Sequence, residues 1–565
     1  MKFSEYPYSR PDFESFKKEI RSQIQDFANA KDAEEQIRIL DDINVLRSHI
    51  QTLSTISSIR HSINNNDEFY NKEQDYWDEY GPLYSAEETN LAKAILASRY
   101  IDSLKKHYPA QFFALLENSI KGFDERIIAD CQEENRLVSK YNRIKATAQI
   151  DFDGKTYNLP GITKLCQSDD RDIRKRASKA ISDYFESKEE EIDGIYDQLV
   201  KLRDTMAKKL GYKNFVELGY IHMNRTDYNK EDVATYRKQI LENVTPLMTQ
   251  ILKEQQKRLG YDSLYYYDEG YVFNDGMPKP QGNPEWILEN ADKMYSELSP
   301  ETKEYFNFMM EHGLMDVLSR DGKEGGAYCT FINDYKSPFL FGNFNGTASD
   351  IVTITHEAGH GFQVYSSRNI DVPDLLWPTL ESCEIHSMSM EFFTYPWMKN
   401  FFGEGKDLAK YYYNHLTGTI KFLPYGVLVD HFQHEVYEHP EYSPAERKAV
   451  WHRLETMYLP AKDYEDNDFY AKGTWWYRQH HIFQTPFYYI DYTLAQVCAL
   501  QFFVKMNEDY KKAWKDYQHL CTLGGTQSFL GLVKEANLEN PFIDGSISKF
   551  MGKVLPKVKE FSDNL

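Results

Sequence analysis

The chain has 565 residues, 41% of them hydrophobic, which is enough to bury a substantial core; its length predicts more than one domain, read here as two lobes. Asp and Glu outnumber Lys and Arg by 87 to 66, so a charge of −21 argues against phosphate backbones and anionic membrane surfaces as partners. The six scattered cysteines include no pair at two- to four-residue spacing, which excludes a disulfide framework and a thiolate zinc site.

The N-terminal residues have no apolar core region and no small-residue cleavage site, and no stretch is apolar for long enough to cross a bilayer. A cytoplasmic location is therefore expected. The segment AEEQIRILDDINVLRSHIQTLSTISSIRHSI (33 to 63) places apolar residues at three- and four-residue intervals and predicts an amphipathic helix. The rest of the first half reads alike, with no fixed repeat that would mark a solenoid. Residues 1–200 are assigned to a helical N-terminal lobe and residues 201–565 to a catalytic region.

Within the first part, TAQIDFDGKTYNLPGITKL (147 to 165) alternates around Asp153-Gly154 and predicts a small hairpin, with helices resuming near Arg171. From about 262 to 347 the chain turns rich in Tyr, Phe, Gly, Asn and Pro, favouring strands and loops. AYCTFINDYKSPFLFGNFNG closes this stretch, so a short sheet is expected to deliver the chain to the segment that follows. Helices dominate from there to the C-terminus.

That segment, TASDIVTITHEAGHGFQVY, has helical spacing, with Ile351, Ile354, Ala358 and Phe362 in one apolar stripe and Thr347 or Ser349 available as a cap. His356 and His360, four apart, lie on one helix face and can grip one ion. Two neutral imidazoles and a carboxylate suit zinc and leave a position for water, with Glu357 beside it as a general base. A surface helix would carry the same five residues harmlessly, so a third ligand is needed.

The next helical segment, PTLESCEIHSMSMEFF, offers Glu381, Glu384, Met388 and Glu391 on one face. Glu384 is taken as the third ligand and Glu381 as the outer carboxylate that accepts the free N–H of a ligating histidine. His386, about 200° round the helix from Glu384, is the competing ligand. His434 and His439 also look metal-like, but five residues turn a helix by about 140°, so they are read as structural or surface side chains.

Cleaving an amide requires donors for the developing oxyanion. The aromatic-dense WWYRQHHIFQTPFYYIDYTLAQ (475 to 496) contains His480, His481, Tyr488, Tyr489 and Tyr492; stripes of this kind are more often core.

With HEAGHGF, ESCEIHSMSMEFF, DHFQHEVYEHPEYSPAERKAVWHRLETMYLP and HHIFQTPFYYIDYTLAQ in the expected order over residues 325 to 500, the chain resembles the thimet oligopeptidase and oligoendopeptidase F family of zinc peptidases, closest to the bacterial oligoendopeptidase F branch. The resemblance implies a mainly α, two-lobed helical ellipsoid with a deep central channel and a small β-sheet beside the zinc-binding helix, cleaving oligopeptides with one Zn2+ per chain. It also implies Glu357 as general base, with His356, His360 and Glu384 as ligands and Glu381 as the outer carboxylate. Donors to substrate fall on His481, Tyr488 and Tyr492, or on His480 and Tyr489 in an ungapped match. Gly342, Asn343 and Phe344 occupy the place where the family pairs substrate backbone with a sheet edge. Two other readings are a catalytically silent peptide-binding protein and a di-metal carboxylate protein; intact Glu357 weighs against the first, and the lack of paired Glu-x-x-His motifs against the second.

Overall fold

The computed structural model describes all 565 residues. Helices account for 71% of them and the strands form only two small sheets, so the chain is mainly α. No helix is long and apolar enough to cross a membrane.

The helix expected at 33 to 63 is α1 (Ala33–Ile63), started by Asp32, whose side chain accepts the Glu35 N–H at 2.8 Å. Leu40 and Ile43 on its inner face join Phe27, Leu91, Ile95 and Phe112 in a core belonging mainly to the first 120 residues. The hairpin also forms: β1 (Ile150–Phe152) pairs antiparallel with β2 (Lys155–Tyr157), and Asp153 and Gly154 both take positive φ, 49° and 77°, as a two-residue primed turn requires.

The lobe boundary set at residue 200 falls inside α2 (Glu189–Lys209), an unbroken helix. Its buried Ile192, Ile195, Leu199 and Met206 belong to the same large apolar core as Ile351, Ile354 and Phe362 of the motif helix, so packing has no break there.

The stretch from 262 to 347 contains two helices that its composition did not suggest, α3 (Pro284–Leu298) and α4 (Pro300–His312). Their local start signals outweigh the surrounding aromatic and glycine content. Asn283 accepts the Trp286 N–H at 3.0 Å, Ser299 Oγ accepts the Thr302 N–H at 3.1 Å, and each cap is followed by a proline at the first helical position.

A three-stranded sheet follows, in the order β3 (Met315–Leu318), β5 (Ser337–Phe344), β4 (Tyr328–Ile332). β5 runs parallel to β3, with Met315 opposite Leu340, and antiparallel to β4, with Tyr328 opposite Phe341. Gly342, Asn343 and Phe344 lie past the end of the β4 pairing, which stops at Phe341. They lie on the central strand, where Phe344 is in register with Leu318 and the Asn343 amide donates to the carbonyls of Glu324 and Gly326. The free edges belong to β3 and β4.

β5 leads through Asn345–Thr347 into α5 (Ala348–Ser367), the motif helix. Asp350 Oδ2 accepts the N–H groups of Asn345, Gly346 and Thr347 at 2.6 to 3.2 Å and so ties the sheet to the helix start. Against α5 lies α6 (Leu380–Phe393), buried at every position from Glu381 onward and flanked by α7 (Lys406–Glu438) and α8 (Tyr489–Glu508). The two helices touch at Gly359, where an added Cβ would come within 2.7 Å of Ser387 Cα and 2.8 Å of the His386 carbonyl oxygen.

Because both neighbours are backbone atoms, nothing there can rotate away. Gly359→Ala is expected to destabilise the chain by about 1–3 kcal/mol, read as a shift in the denaturant midpoint. An unchanged midpoint would show that the contact is looser than the structure has it.

Candidate metal centre

One turn of α5 and one turn of α6 bring three ligand atoms to a common point. His356 Nε2 and His360 Nε2 each lie 3.3 Å from Glu384 Oε2, and the three groups offer atoms all within 4.8 Å of one another. Tetrahedral ligation with metal–ligand bonds near 2.05 Å requires ligand–ligand separations of about 3.3–3.4 Å, so the spacing fits zinc. The donor chemistry fits as well. Burial would raise the Glu384 carboxyl, but His360 and His356 hold it well below its ordinary range and keep it ionised.

His356 is oriented from behind. Its Nδ1–H donates to Glu391 Oε1 at 2.7 Å, because a carboxylate only accepts, and in the neutral ring this leaves the Nε2 lone pair toward the cluster. Glu391 is fixed in turn by His415 of α7, whose Nε2–H donates to Oε2 at 2.7 Å while the Tyr395 hydroxyl donates to His415 Nδ1 at 2.7 Å. Burial pushes the His356 pKa down, yet Glu384 and Glu391 outweigh it and raise it well above normal. The same two carboxylates favour a divalent cation at Nε2.

The outer carboxylate is thus Glu391, and the assignment of Glu381 is corrected. α5 and α6 cross antiparallel, with His360 beside Glu384, Gly359 beside Ser387 and His356 beside Glu391. Glu381, one turn on the other side of Glu384, cannot reach the His356 ring. It is 1% exposed, one of its oxygens has no hydrogen-bond partner, and burial together with the charge of Asp491 raises its pKa well above the carboxylate range. Asp491 itself pairs with Arg225 at 2.9 Å.

Glu357 follows His356 on the chain and is 7% exposed, with one carboxylate oxygen lacking any partner. Burial raises its pKa against the lowering effect of the two histidines, which suits a group that must both take and return a proton.

The late aromatic segment also reaches this point. The Tyr488 hydroxyl donates to Glu384 Oε1 at 2.7 Å, and Ser387 Oγ donates to Oε2 at 3.0 Å. His481, in the short helix His480–Gln484, has Nε2 3.4 Å from the Tyr492 hydroxyl. The Gln479 amide donates to His481 Nδ1 at 2.6 Å, which places the ring proton on Nε2. Burial pushes the His481 pKa down to about 3, so the ring is neutral. His480 is exposed and stacks on His481 with ring centres 3.8 Å apart, and Tyr489 packs among Phe422, Tyr425 and His481.

His386 and the other histidine pair stand apart from the cluster. His386 is fully buried with Nδ1 on the Ser382 carbonyl at 2.8 Å. His434 bonds the Tyr220 hydroxyl at 2.9 Å, and His439 is exposed beside Glu441. His415 and Tyr395 carried no local motif; Glu391 was visible in sequence only as a member of the Glu384 stripe.

Glu391→Gln is expected to weaken zinc binding about 10–100-fold in competition with a chelator. Unaltered affinity would remove Glu391 from the support of His356. A separate outcome concerns Glu381: a carboxyl with a raised folded pKa contributes stability below about pH 4 that is lost as pH rises. Glu381→Gln should therefore be more stable than the parent at pH 7 to 8 in denaturant melts, with the difference closing toward about pH 4; a pH-independent difference would contradict this.

The chain matches the family described as Peptidase family M3 over residues 164–552, and the Peptidase M3 N-terminal domain over residues 3–123. Among solved structures it is similar to PZ peptidase A with inhibitor 2, at 48% identity and a TM-score of 0.97 over 100% of both chains. Among curated proteins it is 21% identical over 412 residues to an oligoendopeptidase F homolog of Borreliella burgdorferi, covering 67% of this chain and 65% of that one. It is likewise 21% identical over 363 residues to the plasmid oligoendopeptidase F of Lactococcus lactis subsp. cremoris, covering 58% of this chain and 57% of that one. In both curated cases the match spans less than two thirds of the relative's length.

Proposed function

The chain belongs to peptidase family M3, and on that premise we propose that it is a zinc-dependent endopeptidase of short peptides, with zinc on His356, His360 and Glu384 and with Glu357 as general base. The observation that carries this reading is the convergence of the three ligand atoms within 4.8 Å beside a buried Glu357 oxygen that has no other partner.

Zinc bound there would supply Lewis acidity, lowering the pKa of water and polarising the scissile carbonyl. Glu357 takes the proton of the attacking water and returns it to the leaving nitrogen; burial raises its pKa above the ordinary carboxylate value, which favours its accepting that proton. The developing negative charge needs donors that are protonated and already aimed. Burial raises the pKa values of Tyr488 and Tyr492, so both stay protonated; Tyr492 O–H and the Nε2–H of neutral His481 are open to substrate, whereas the single Tyr488 proton must leave Glu384 to serve.

The contacts favour His481, Tyr488 and Tyr492 for this task over His480 and Tyr489. Tyr488 touches the ligand Glu384, and His481 and Tyr492 face each other at 3.4 Å, a loose contact that either can exchange for substrate. His480 then lies outside and Tyr489 serves as packing. For the substrate backbone, the free edge of β4 is the available partner. Cys329 of that strand lies close enough to Glu357 for the carboxylate to raise its thiol pKa, after burial, the main cause.

The test is Glu357→Gln, an isostere that keeps the ligands. It should retain one zinc per chain by metal analysis and lose at least about 10²–10⁴-fold in turnover of a quenched fluorescent peptide. Near-parent turnover would end this assignment, and an inactive parent chain loaded with zinc would end the peptidase reading.

A further inference from the structure

We propose that a carboxylate of the bound peptide is anchored by Lys421 in the cavity bounded by Lys421, Tyr425, Lys462 and Trp475. This inference rests on the peptidase reading. The cavity, about 320 Å³, opens between α7, which supplies Lys421 and Tyr425 one turn apart, and the helix Thr245–Leu259, which supplies Met248 and Leu252.

Lys462 donates to Glu269 at 2.9 Å and lies 3.9 Å over the Trp475 ring, so it is already neutralised. Glu455, the other carboxylate near Lys462, is engaged by the Tyr464 hydroxyl at 2.7 Å and the Trp451 indole at 3.1 Å. Arg258, close enough to act on Lys421, stacks on Tyr413 at 4.5 Å and donates only to a backbone carbonyl. Arg478, 3.8 Å over the Trp475 ring, bonds the Tyr470 hydroxyl and pairs with no carboxylate, so four cations face two carboxylates, a local positive excess in a chain of net −21.

Lys421 is the unpaired member of that excess that lines the cavity: it makes neither a hydrogen bond nor an ion pair. Burial pushes its pKa down to about 8. A half-buried ammonium beside Met248, Leu252 and Leu459 is costly without an anion, and an anion entering the cavity would relieve that cost. The apolar wall selects a carboxylate with hydrocarbon beside it over a small hydrated ion.

The cavity is tied to the reacting groups through Tyr425. Its hydroxyl donates to Gln479 Oε1 at 3.0 Å, and the same amide donates to His481 Nδ1 at 2.6 Å. Its ring meets Tyr489 at 5.7 Å, and Tyr489 meets His481 at 5.0 Å. One glutamine therefore separates the cavity wall from His481, and one helical turn separates Tyr425 from Lys421. At about 3.3 Å per residue of extended peptide, we take the anchored group to lie within about four residues of the scissile bond. Two sources present such a group: the C-terminal carboxylate of a short peptide, and an Asp or Glu side chain.

Three peptides of one core sequence separate these cases: a free acid, its C-terminal amide, and the amide with a Glu placed up to four residues past the cleaved bond. Affinities are measured by calorimetry on the zinc-loaded Glu357→Gln protein, with and without Lys421→Met, and cleavage is measured on the parent chain. Against the unmodified amide, the free acid or the Glu peptide should bind about tenfold tighter, and Lys421→Met should abolish that preference while Lys421→Arg preserves it. The arm that shows the preference identifies the source. No preference for either carboxylate, or one that Lys421→Met leaves intact in a protein melting like its parent, would overturn the anchor. Cleavage of all three peptides by the parent in that event would leave the peptidase reading standing; cleavage of none would end it whatever the affinities show.

Discussion

The structure depends on burying ionised groups between two helices in direct contact. Glu384 and Glu391 lie inside α6, with His356 and His360 against them on α5, and each carboxylate would be prohibitively costly there alone. They are tolerated because they are shared: Glu384 is faced by both histidines, Tyr488 and Ser387, and Glu391 by His356 and His415. The absence of a side chain at Gly359 lets the helices approach closely enough for that sharing. The proposed cation at the focus of the cluster would complete the charge balance that the carboxylates set up.

From this constraint the surrounding architecture acquires its purpose. α6 is buried on every side because α5, α7 and α8 each contribute to it, and each brings one part of the chemistry. α5 carries His356, Glu357 and His360, α7 carries His415, and Tyr488, immediately before α8, reaches back to the Glu384 carboxylate. The loop ahead of α8 is organised by the same economy of contacts. Gln479 fixes the tautomer of His481 with its amide while its carbonyl accepts from Tyr425, so one side chain links the donor to the wall of a neighbouring cavity.

The helical part before residue 200 is continuous with this centre in packing, although a smaller core of its own holds the first helices together. Amphipathic helices report which face is buried and say nothing of what buries it. That is why α1 could be read residue by residue while the boundary near 200 could not: α2 passes through it without a cap, a proline or a change of face. The missed helices α3 and α4 have a different cause. Their capping residues, Asn283 and Ser299 with a proline after each, were present in the text but surrounded by aromatic residues of higher strand propensity.

What the amino-acid order determined by itself was whatever depends on spacing along one element. Two histidines four apart share a helix face in any setting, Glu384 lies on the inward stripe of the next helix, Asp153-Gly154 makes a tight turn, and histidines five apart diverge. What tertiary structure decided was every choice between residues that spacing leaves equivalent. Glu381 and Glu391 occupy the same angular stripe as Glu384, and only the antiparallel crossing at Gly359 sets Glu391 at the height of His356. β4 and β5 have similar strand composition, and only the order β3–β5–β4 makes one an edge and the other central. Periodicity fixes the angle at which a side chain leaves its element, whereas the position at which two elements meet is set by long-range packing that no local pattern records.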